Sequence, residues 1–501
     1  MSRVVVVGAG LGGLAAAARL AAAGHRVALY ERATTHGGKL GTFTRDGFTF
    51  GTGPSLLTLP HVLAALFAET GGPADLDVLP VDPVCSYRFA DGTRLDMPHD
   101  PALVPAALDA ALGPGRGASW SRLHERSARL WELVGDPVLR APFDGLRDLA
   151  RLGGPGDLGL VAPWRTLSGL GRRLLPDPRL RTWLDRYATY SGSDPRRTPS
   201  VLSVTPYVEQ AHGGWYVRGG LRRIADAVLD RCRELGVEVH LGAEVTRITT
   251  VRGRATGIEV DGDRVPADVV VANADAARVY GELVRDPAAD RPRRAVRRAT
   301  RSLAGFVLLL GLDGREPGPA HRVRFPRDHH AEFDAIFGGR PGPVPDPTVY
   351  VHAPDDPALR PIDASEGWFV LVNAPTHDPG RGVDWDAPGL GEAYADRVLA
   401  ALAERGEDVR GRVRFREVRT PADLERDTGA PGGAIYGTAS HGPRAALLRP
   451  ANRSPVAGLF LVGGSAHPGG GLPLVLHSAE IVAGLVGPAV SAAARTPGGP
   501  S

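Results

Sequence analysis

The chain is poor in sulfur and in lysine: 501 residues hold two cysteines, two methionines and a single lysine, Lys39. Cys85 and Cys232 lie far apart in sequence, so they offer neither a disulfide framework nor a metal-ligand spacing, as in a reducing cytosol. The 59 basic and 56 acidic residues leave a formal net charge of only +3. The pI near 9.0 therefore makes no case for nucleic acid, because no basic run with interleaved aromatics is present. No run of about 18 uncharged apolar residues occurs, which predicts no membrane-spanning helix. The first apolar strand begins almost at once, so a secretory signal is not expected. Also missing are a Ser/His/Asp order with a nucleophile elbow, a His-Glu-x-x-His motif and paired metal ligands. The expectation is a cytoplasmic protein without metal or nucleic acid, whose contact with membrane is peripheral.

Glycine, in contrast, is abundant, with 65 residues, and it is placed with purpose. Val4-Val5-Val6-Val7-Gly8-Ala9-Gly10-Leu11-Gly12-Gly13 reads as a strand entering a glycine turn, and an alanine-rich helix is predicted over 14–23. This is G-x-G-x-x-G with a strand before it and a helix after it. Gly8 permits the tight turn, Gly10 lets backbone approach a pyrophosphate, and Gly13 lets helix and strand pack closely. The helix N-terminus offers N–H groups to phosphate. A second strand over 26–30 leads to Glu31, whose carboxylate can accept hydrogen bonds from ribose hydroxyls. The bland alternative is a glycine-rich turn in an empty βαβ unit.

After Glu31 the chain does not enter another βαβ unit, as a nicotinamide enzyme would. It reads His36-Gly37-Gly38-Lys39-Leu40, then Phe48-Thr49-Phe50-Gly51-Thr52-Gly53-Pro54-Ser55. Paired glycines with a basic residue resemble the second phosphate-side motif of the large two-domain flavoproteins, the group of amine oxidases and carotenoid desaturases. That resemblance implies FAD rather than NAD, with Glu31 on the adenosine ribose and the Gly38-Lys39 turn under the pyrophosphate.

A chain of this length exceeds one compact core. We expect an α/β protein with a discontinuous Rossmann-like FAD-binding domain (1–75, 206–294 and 441–490). A mixed α/β substrate domain (76–99 and 295–440), a helical insertion (100–205) and a disordered tail (491–501) complete it. Strands are expected at 237–241, 267–274, 306–312, 368–373 and 458–464, and helices at 221–235, 391–405 and 478–486. Residues 158–176 set Leu158, Leu160, Trp164, Leu167 and Leu170 against Arg165, Arg172 and Arg173. Such a basic amphipathic segment suits a membrane interface or, equally, a surface helix packed on its own domain. His329 and His330 are adjacent and are expected at the surface rather than as metal ligands.

Four segments together resemble the bacterial phytoene desaturase family. They are the N-terminal block ending Gly53-Pro54-Ser55-Leu56-Leu57-Thr58, Trp215-Tyr216-Val217-Arg218-Gly219-Gly220, residues 268–275, and Gly458-Leu459-Phe460-Leu461-Val462-Gly463-Gly464-Ser465-Ala466-His467-Pro468-Gly469-Gly470-Gly471-Leu472-Pro473. The last is the most specific, since His-Pro-Gly-x-Gly-x-Pro after an apolar strand is rarer than a glycine fingerprint. The resemblance implies that this segment passes beside the flavin ring and ribityl chain. It implies cofactor contacts from Gly8, Gly10, Gly12, Gly13, Glu31, Arg32, Gly38, Lys39, Gly53, Pro54, Val245, Asn273, Gly463, Gly464, Gly471 and Pro473. The chain departs from the pattern at Gly51, where many members carry Asp. Asp148 and Arg151 match an Asp-x-x-Arg pair set near the substrate channel, and a helix-surface ion pair explains them as well.

What the resemblance implies chemically is removal of two hydrogens from an apolar polyene such as phytoene, with hydride passing to flavin N5. Position and exclusion of water then carry the reaction, which agrees with the scarcity of acid/base motifs. His467 is the candidate to take up the proton, or else it only caps the turn before Pro468. The electrons would leave to oxygen or a membrane quinone. Within the family, a late-acting 3,4-desaturase of partly desaturated or hydroxylated acyclic carotenoids, or a terminal-methyl oxygenase, stays open. From other classes, a flavin amine oxidase and a prenyl-binding escort protein without catalysis are the alternatives.

Overall fold

The computed structural model describes residues 1–143, 154, 157–362, 364–442 and 449–489. The four consecutive valines form the centre strand of a five-stranded sheet: β1 (Arg3–Val7), β2 (Arg26–Glu31), β3 (Glu238–Leu241), β4 (Val269–Ala272) and β5 (Leu459–Leu461), in the order β5-β4-β1-β2-β3. Every neighbouring pair is parallel, which requires cover on both faces and explains the unbroken apolar run. Alternate residues serve the two faces. Val4 and Val6 pack toward α1 (Leu11–Ala22), α2 (Arg222–Glu234) and α3 (Leu472–Val486). Val5 and Val7 pack toward a three-stranded antiparallel sheet, Val245–Val251, Arg254–Val260 and Asp263–Pro266. The alanines at 15–18 are fully buried; small side chains let α1 lie close between its two neighbours. Each fully buried leucine of this layer, such as Leu14 or Leu20, contributes roughly 2 kcal/mol.

A second sheet of seven strands runs in the order Val413–Arg419, Ala304–Asp313, Ser365–Ala374, Val349–His352, His321–Arg324, Cys85–Arg88, Arg94–Met97. Its neighbours are antiparallel except the parallel pair His321–Arg324 with Cys85–Arg88. Phe306, Leu308 and Leu310 on one face pack with Val398 and Leu402 of the helix Leu390–Glu404. Leu309 and Phe369 on the other pack with Phe48 and Phe50 of the hairpin Thr42–Arg45/Phe48–Gly51. The helices that follow residue 100 join the far end of this sheet through Trp120, stacked at 4.0 Å on Trp183, which meets Tyr87 edge-on. The fold is thus α/β, with one parallel sheet assembled from segments far apart in the chain.

Three local expectations change. α3 begins at Leu472, six residues before the expected start at 478. Pro473 sits in the first turn, where its missing N–H costs nothing. Residues 158–176 are two short helices, Leu158–Val161 and Leu167–Leu174, the second capped by the Thr166 hydroxyl accepting from Gly169 N–H. Leu167 and Leu170 are buried with Trp183, whereas Leu158 and Trp164 stay exposed. His329 is not a surface residue: it is buried, bonds to the Thr348 hydroxyl at 3.0 Å, and burial pushes its pKa down to about 3. His330 meets Asp185. Among the described residues no helix is long and apolar enough to cross a membrane.

Candidate functional site

The glycine turn is held as its sequence requires. Gly8 has φ +99°, which favours glycine, and its N–H bonds to the Tyr30 carbonyl at 2.7 Å. A Cβ on Gly13 would lie 2.0 Å from the Gly8 carbonyl oxygen, so no other residue lets α1 approach β1 this closely. Gly10 precedes α1 as its N-cap and offers no side-chain cap, the arrangement that leaves first-turn N–H groups for an anion. Asn273, just past β4, reaches into the same turn. With its amide oxygen toward the loop it accepts from the N–H of Gly10 and Gly13 at 3.2 and 3.3 Å. Its side chain also lies where a Cβ of Gly12 or Gly463 would go. One carboxamide thus gathers Gly10, Gly12, Gly13 and Gly463.

Glu31 ends β2 with its carboxylate fixed at both oxygens, accepting from Ala9 N–H at 2.8 Å and Ala33 N–H at 2.9 Å. Each oxygen keeps a further lone pair for a hydroxyl. The backbone of 242–243 bonds to Ala33 and Glu31, which brings buried Val245 to the same edge. Arg32 points elsewhere, to the Arg426 carbonyl. The second glycine turn lies against the first: Gly37 N–H bonds to the Ala9 carbonyl, and a Cβ on Gly38 would be 3.2 Å from Gly10 Cα. Gly53 lies so close beneath it that a Cβ would be 1.6 Å from the Lys39 carbonyl oxygen.

Two desolvated cations stand in this region, Lys39 at the junction and Arg449 at the C-terminal turn. The Lys39 ammonium donates to the carbonyls of Ala434 and Ile435 at 3.2 and 2.6 Å. It keeps some exposed surface yet sits deep enough that desolvation lowers its pKa, against the attraction of Asp275. Buried Arg449 donates to the carbonyls of Tyr436, Gly464 and Thr438, and burial pushes it down to about 10. Among the described residues neither forms a salt bridge with a carboxylate. Desolvated cations bonded only to carbonyls are costly and suit a site completed by an anionic group. Nothing in the sequence around Arg449 pointed to it; its neighbours Tyr436 and Gly464 arrive by folding.

The C-terminal turn closes the other side. Gly463 follows β5, its N–H bonded to the Ser478 hydroxyl. Gly464 supplies the carbonyl that Arg449 holds. Gly471, at φ +114°, precedes Pro473 at the start of α3, with no atom within 4 Å of its missing Cβ. His467 is buried, stacks on Phe143 at 5.6 Å, and places Nε2 at 3.0 and 3.1 Å from the carbonyls of Val138 and Ala141. Asp148 and Arg151 lie outside the described residues.

Beyond the Lys39–Gly53 contact opens a narrow cleft between the hairpin and the seven-stranded sheet. Leu40, Phe50, Pro54, Leu359 and Phe369 make it largely apolar, and Ser55, Tyr216 and His352 line it as well. Gly51 lines it too, with open space where a side chain would stand. The Ser55 hydroxyl is 2.5 Å from the Tyr350 hydroxyl, which is 2.6 Å from His321 Nδ1. The charged lining groups are engaged by protein. Asp356 accepts from the Tyr216 hydroxyl and Gly219 N–H, Arg222 meets Asp226, and Arg360 meets Asp355.

The family model for flavin containing amine oxidoreductases matches residues 11–315. A 4,4'-diapolycopene oxygenase from Methylomonas is 37% identical over 489 residues, covering 96% of this chain and 97% of its own. A hydroxyneurosporene desaturase from Cereibacter sphaeroides is 34% identical, covering 96% and 97%. A neurosporene-forming phytoene desaturase from Rhodobacter capsulatus is 33% identical, covering 97% and 94%. Solved structures share the fold: an oxidoreductase from Methanosarcina mazei (TM-score 0.64, 19% identity, 97% and 99% covered) and putrescine oxidase with putrescine bound (TM-score 0.65, 17% identity, 97% and 98% covered).

Proposed function

Because the chain belongs to the flavin containing amine oxidoreductases and, among them, to the bacterial phytoene desaturase family, we propose that it is a carotenoid desaturase, introducing C=C bonds into an acyclic, apolar carotene. It is an FAD-dependent oxidoreductase. When bound, FAD supplies a two-electron oxidant whose N5 accepts hydride. Glu31 would hold the adenosine ribose, and the turns at Gly8–Gly13 and Gly37–Lys39 the pyrophosphate. Gly463, Gly464, Gly471 and Pro473 would border the flavin end. The observation that carries the reading is the largely apolar cleft opening beside this cradle, with its charged groups already engaged. A polyene needs apolar walls and exclusion of water, not an ionic grip.

His467 is the residue we assign to proton uptake, with Val138 and Ala141 fixing its ring. Residues 1–75, 206–294 and 441–490 are taken as the FAD-binding unit, and 76–99 with 295–440 as the substrate unit. The exposed Leu158 and Trp164 are taken to touch the membrane from the cytoplasmic side, where the polyene dissolves, with oxygen or a quinone as final acceptor. A second reading, late desaturation or oxygenation of an already desaturated chain, is favoured by relatives named for such reactions. An amine oxidase would need a polar cage for the amine, and an escort protein would not need an intact cradle.

Pigment analysis of a phytoene-producing bacterial host, with and without the gene, tests the reading. New bands from longer conjugation establish a phytoene desaturase. Persistence of phytoene, with conversion of lycopene or hydroxylated lycopene instead, moves the assignment to a late step. No conversion in any host overturns carotenoid chemistry.

A further inference from the structure

The helix Asp290–Arg298 presents charge of one sign to solvent. Val296 packs on the same cluster as Val5 and Val7, and Arg293 donates to the carbonyls of Tyr280 and Val284 at 2.7 and 2.8 Å, so that side faces the protein. The opposite side carries Arg291, Arg294, Arg297 and Arg298, all exposed, with exposed Arg301 following. Among the described residues none of these five side chains forms an ion pair or a hydrogen bond. The nearby carboxylates are taken: Asp290 by Arg293, Glu244 and Glu282 by Arg278, and buried Asp286 by the Ala288 N–H. Like charges three and four residues apart weaken a helix. Arg291 stands in the first turn, where the helix dipole repels a cation. Fold stability does not explain the arrangement.

The basic surface runs on to the exposed apolar side chains at 158 and 164. Arg301 bridges to Thr438, Gly442 N–H bonds to the Arg197 carbonyl, and Pro199 bridges to Thr166, two residues after Trp164. Arg197 on this route, and Arg172 and Arg173 on the helix that follows Thr166, are exposed and without ion pairs among the described residues. Arg126, which donates to the Leu160 carbonyl, is held below the ordinary guanidinium range by burial first and then by Arg165 and Arg173. Like charges therefore crowd the segment that bears Leu158 and Trp164 as well.

We propose that this arginine field, centred on the helix Asp290–Arg298, is a docking surface for anionic phospholipid headgroups. This deepens the membrane contact proposed above and rests on it for the choice of a bilayer over another polyanion. A guanidinium group meets phosphate through two parallel N–H bonds. Apolar side chains set among such cations gain only where hydrocarbon lies just beneath the phosphates. Nucleic acid or an acidic protein would satisfy the charge and leave Leu158 and Trp164 in water.

The FAD-loaded full chain is sedimented with vesicles of phosphatidylcholine alone and of phosphatidylcholine mixed with phosphatidylglycerol. Wild type is expected to partition onto the mixed vesicles about tenfold or more above the neutral ones, and to lose that excess as salt screens the headgroups. The variant R291Q/R294Q/R297Q/R298Q keeps good helix formers at exposed positions, so flavin content and melting temperature should be unchanged. Its binding to mixed vesicles should fall about tenfold or more, and its binding to neutral vesicles should not change. Trp164→Glu should weaken binding to both. Mixed-vesicle binding by the arginine variant equal to that of wild type overturns the docking surface; if Trp164→Glu still weakens both, the membrane contact stands without it. Arginine-dependent binding that Trp164→Glu leaves untouched keeps the docking surface and removes the apolar contact. Wild type that binds neither vesicle overturns both, and retention on double-stranded DNA or polyglutamate in that case assigns the arginines to another polyanion.

Discussion

At the scale of single residues, the cofactor cradle is set by absent side chains. Gly8, Gly10, Gly12 and Gly13 leave room into which Asn273 reaches from the end of β4. Gly13→Ala should be the most damaging small change in the chain, since its methyl would sit 2.0 Å from the Gly8 carbonyl oxygen. We expect purified protein with little bound flavin and a melting temperature lowered by several degrees, as for a loss of about 2 kcal/mol or more. Full flavin content in that variant would contradict the close packing of α1 on β1. Glu31→Ala should act more narrowly. It frees Ala9 and Ala33 N–H and removes the proposed ribose acceptor, so visible flavin absorbance per protein should fall while the circular dichroism spectrum is kept. Unchanged flavin content would remove Glu31 from the ribose site. These residues were legible because strand, turn, helix and acidic end follow one another in sequence. Arg449 and the Ser55–Tyr350–His321 chain were not, because their partners come from remote segments.

At the scale of elements, α3 does more than close the parallel sheet. Glu480, one turn after His477 on this helix, accepts from Arg140 at 2.7 Å and lies 3.0 Å from His477 Nδ1. Arg140 belongs to the stretch whose Val138 and Ala141 carbonyls hold His467. Helix, C-terminal turn and helical region are therefore fastened at one place. Burial by itself would raise the Glu480 pKa, but bonding from His477 and Arg140 outweighs it and brings the carboxyl down to about 2. An unfolded glutamate titrates near ~4.3, so the folded value is depressed. The stabilisation is complete above that unfolded value and is lost as pH falls from about 4 toward 2. Glu480→Gln should lower the melting temperature at neutral pH and flatten its decline over that acid range. An acid limb as steep as that of wild type would show that the tie contributes nothing.

At the scale of the whole molecule, the site lies between two sheets that share little sequence. The parallel sheet brings β1, β2, β4 and β5 together around the glycine turns, while the seven-stranded sheet provides the cleft wall. The two short helices at Leu158–Val161 and Leu167–Leu174 divide the amphipathic stripe. Leu167 and Leu170 serve the core, and Leu158 and Trp164 are left outside at 52% and 68% exposure. Trp164→Glu is therefore expected to leave the folding stability within about 0.5 kcal/mol of wild type while reducing co-sedimentation with anionic phospholipid vesicles several-fold. Equal sedimentation of variant and wild type would take the membrane contact away from this segment.

Sequence alone determined what rests on short-range order: the glycine fingerprint and its acidic strand end, the second glycine turn, the first strand of four consecutive valines, and the lack of any membrane-spanning run. Local backbone sterics and strand or helix periodicity act over a few residues, so they leave a readable trace. Only tertiary structure decided that Arg449 stands at the C-terminal turn, that His329 is buried, that His467 is held by a distant pair of carbonyls, and that His352 lines the cleft. Those facts depend on which remote segments meet, and burial and desolvation take their values only once the segments are packed together.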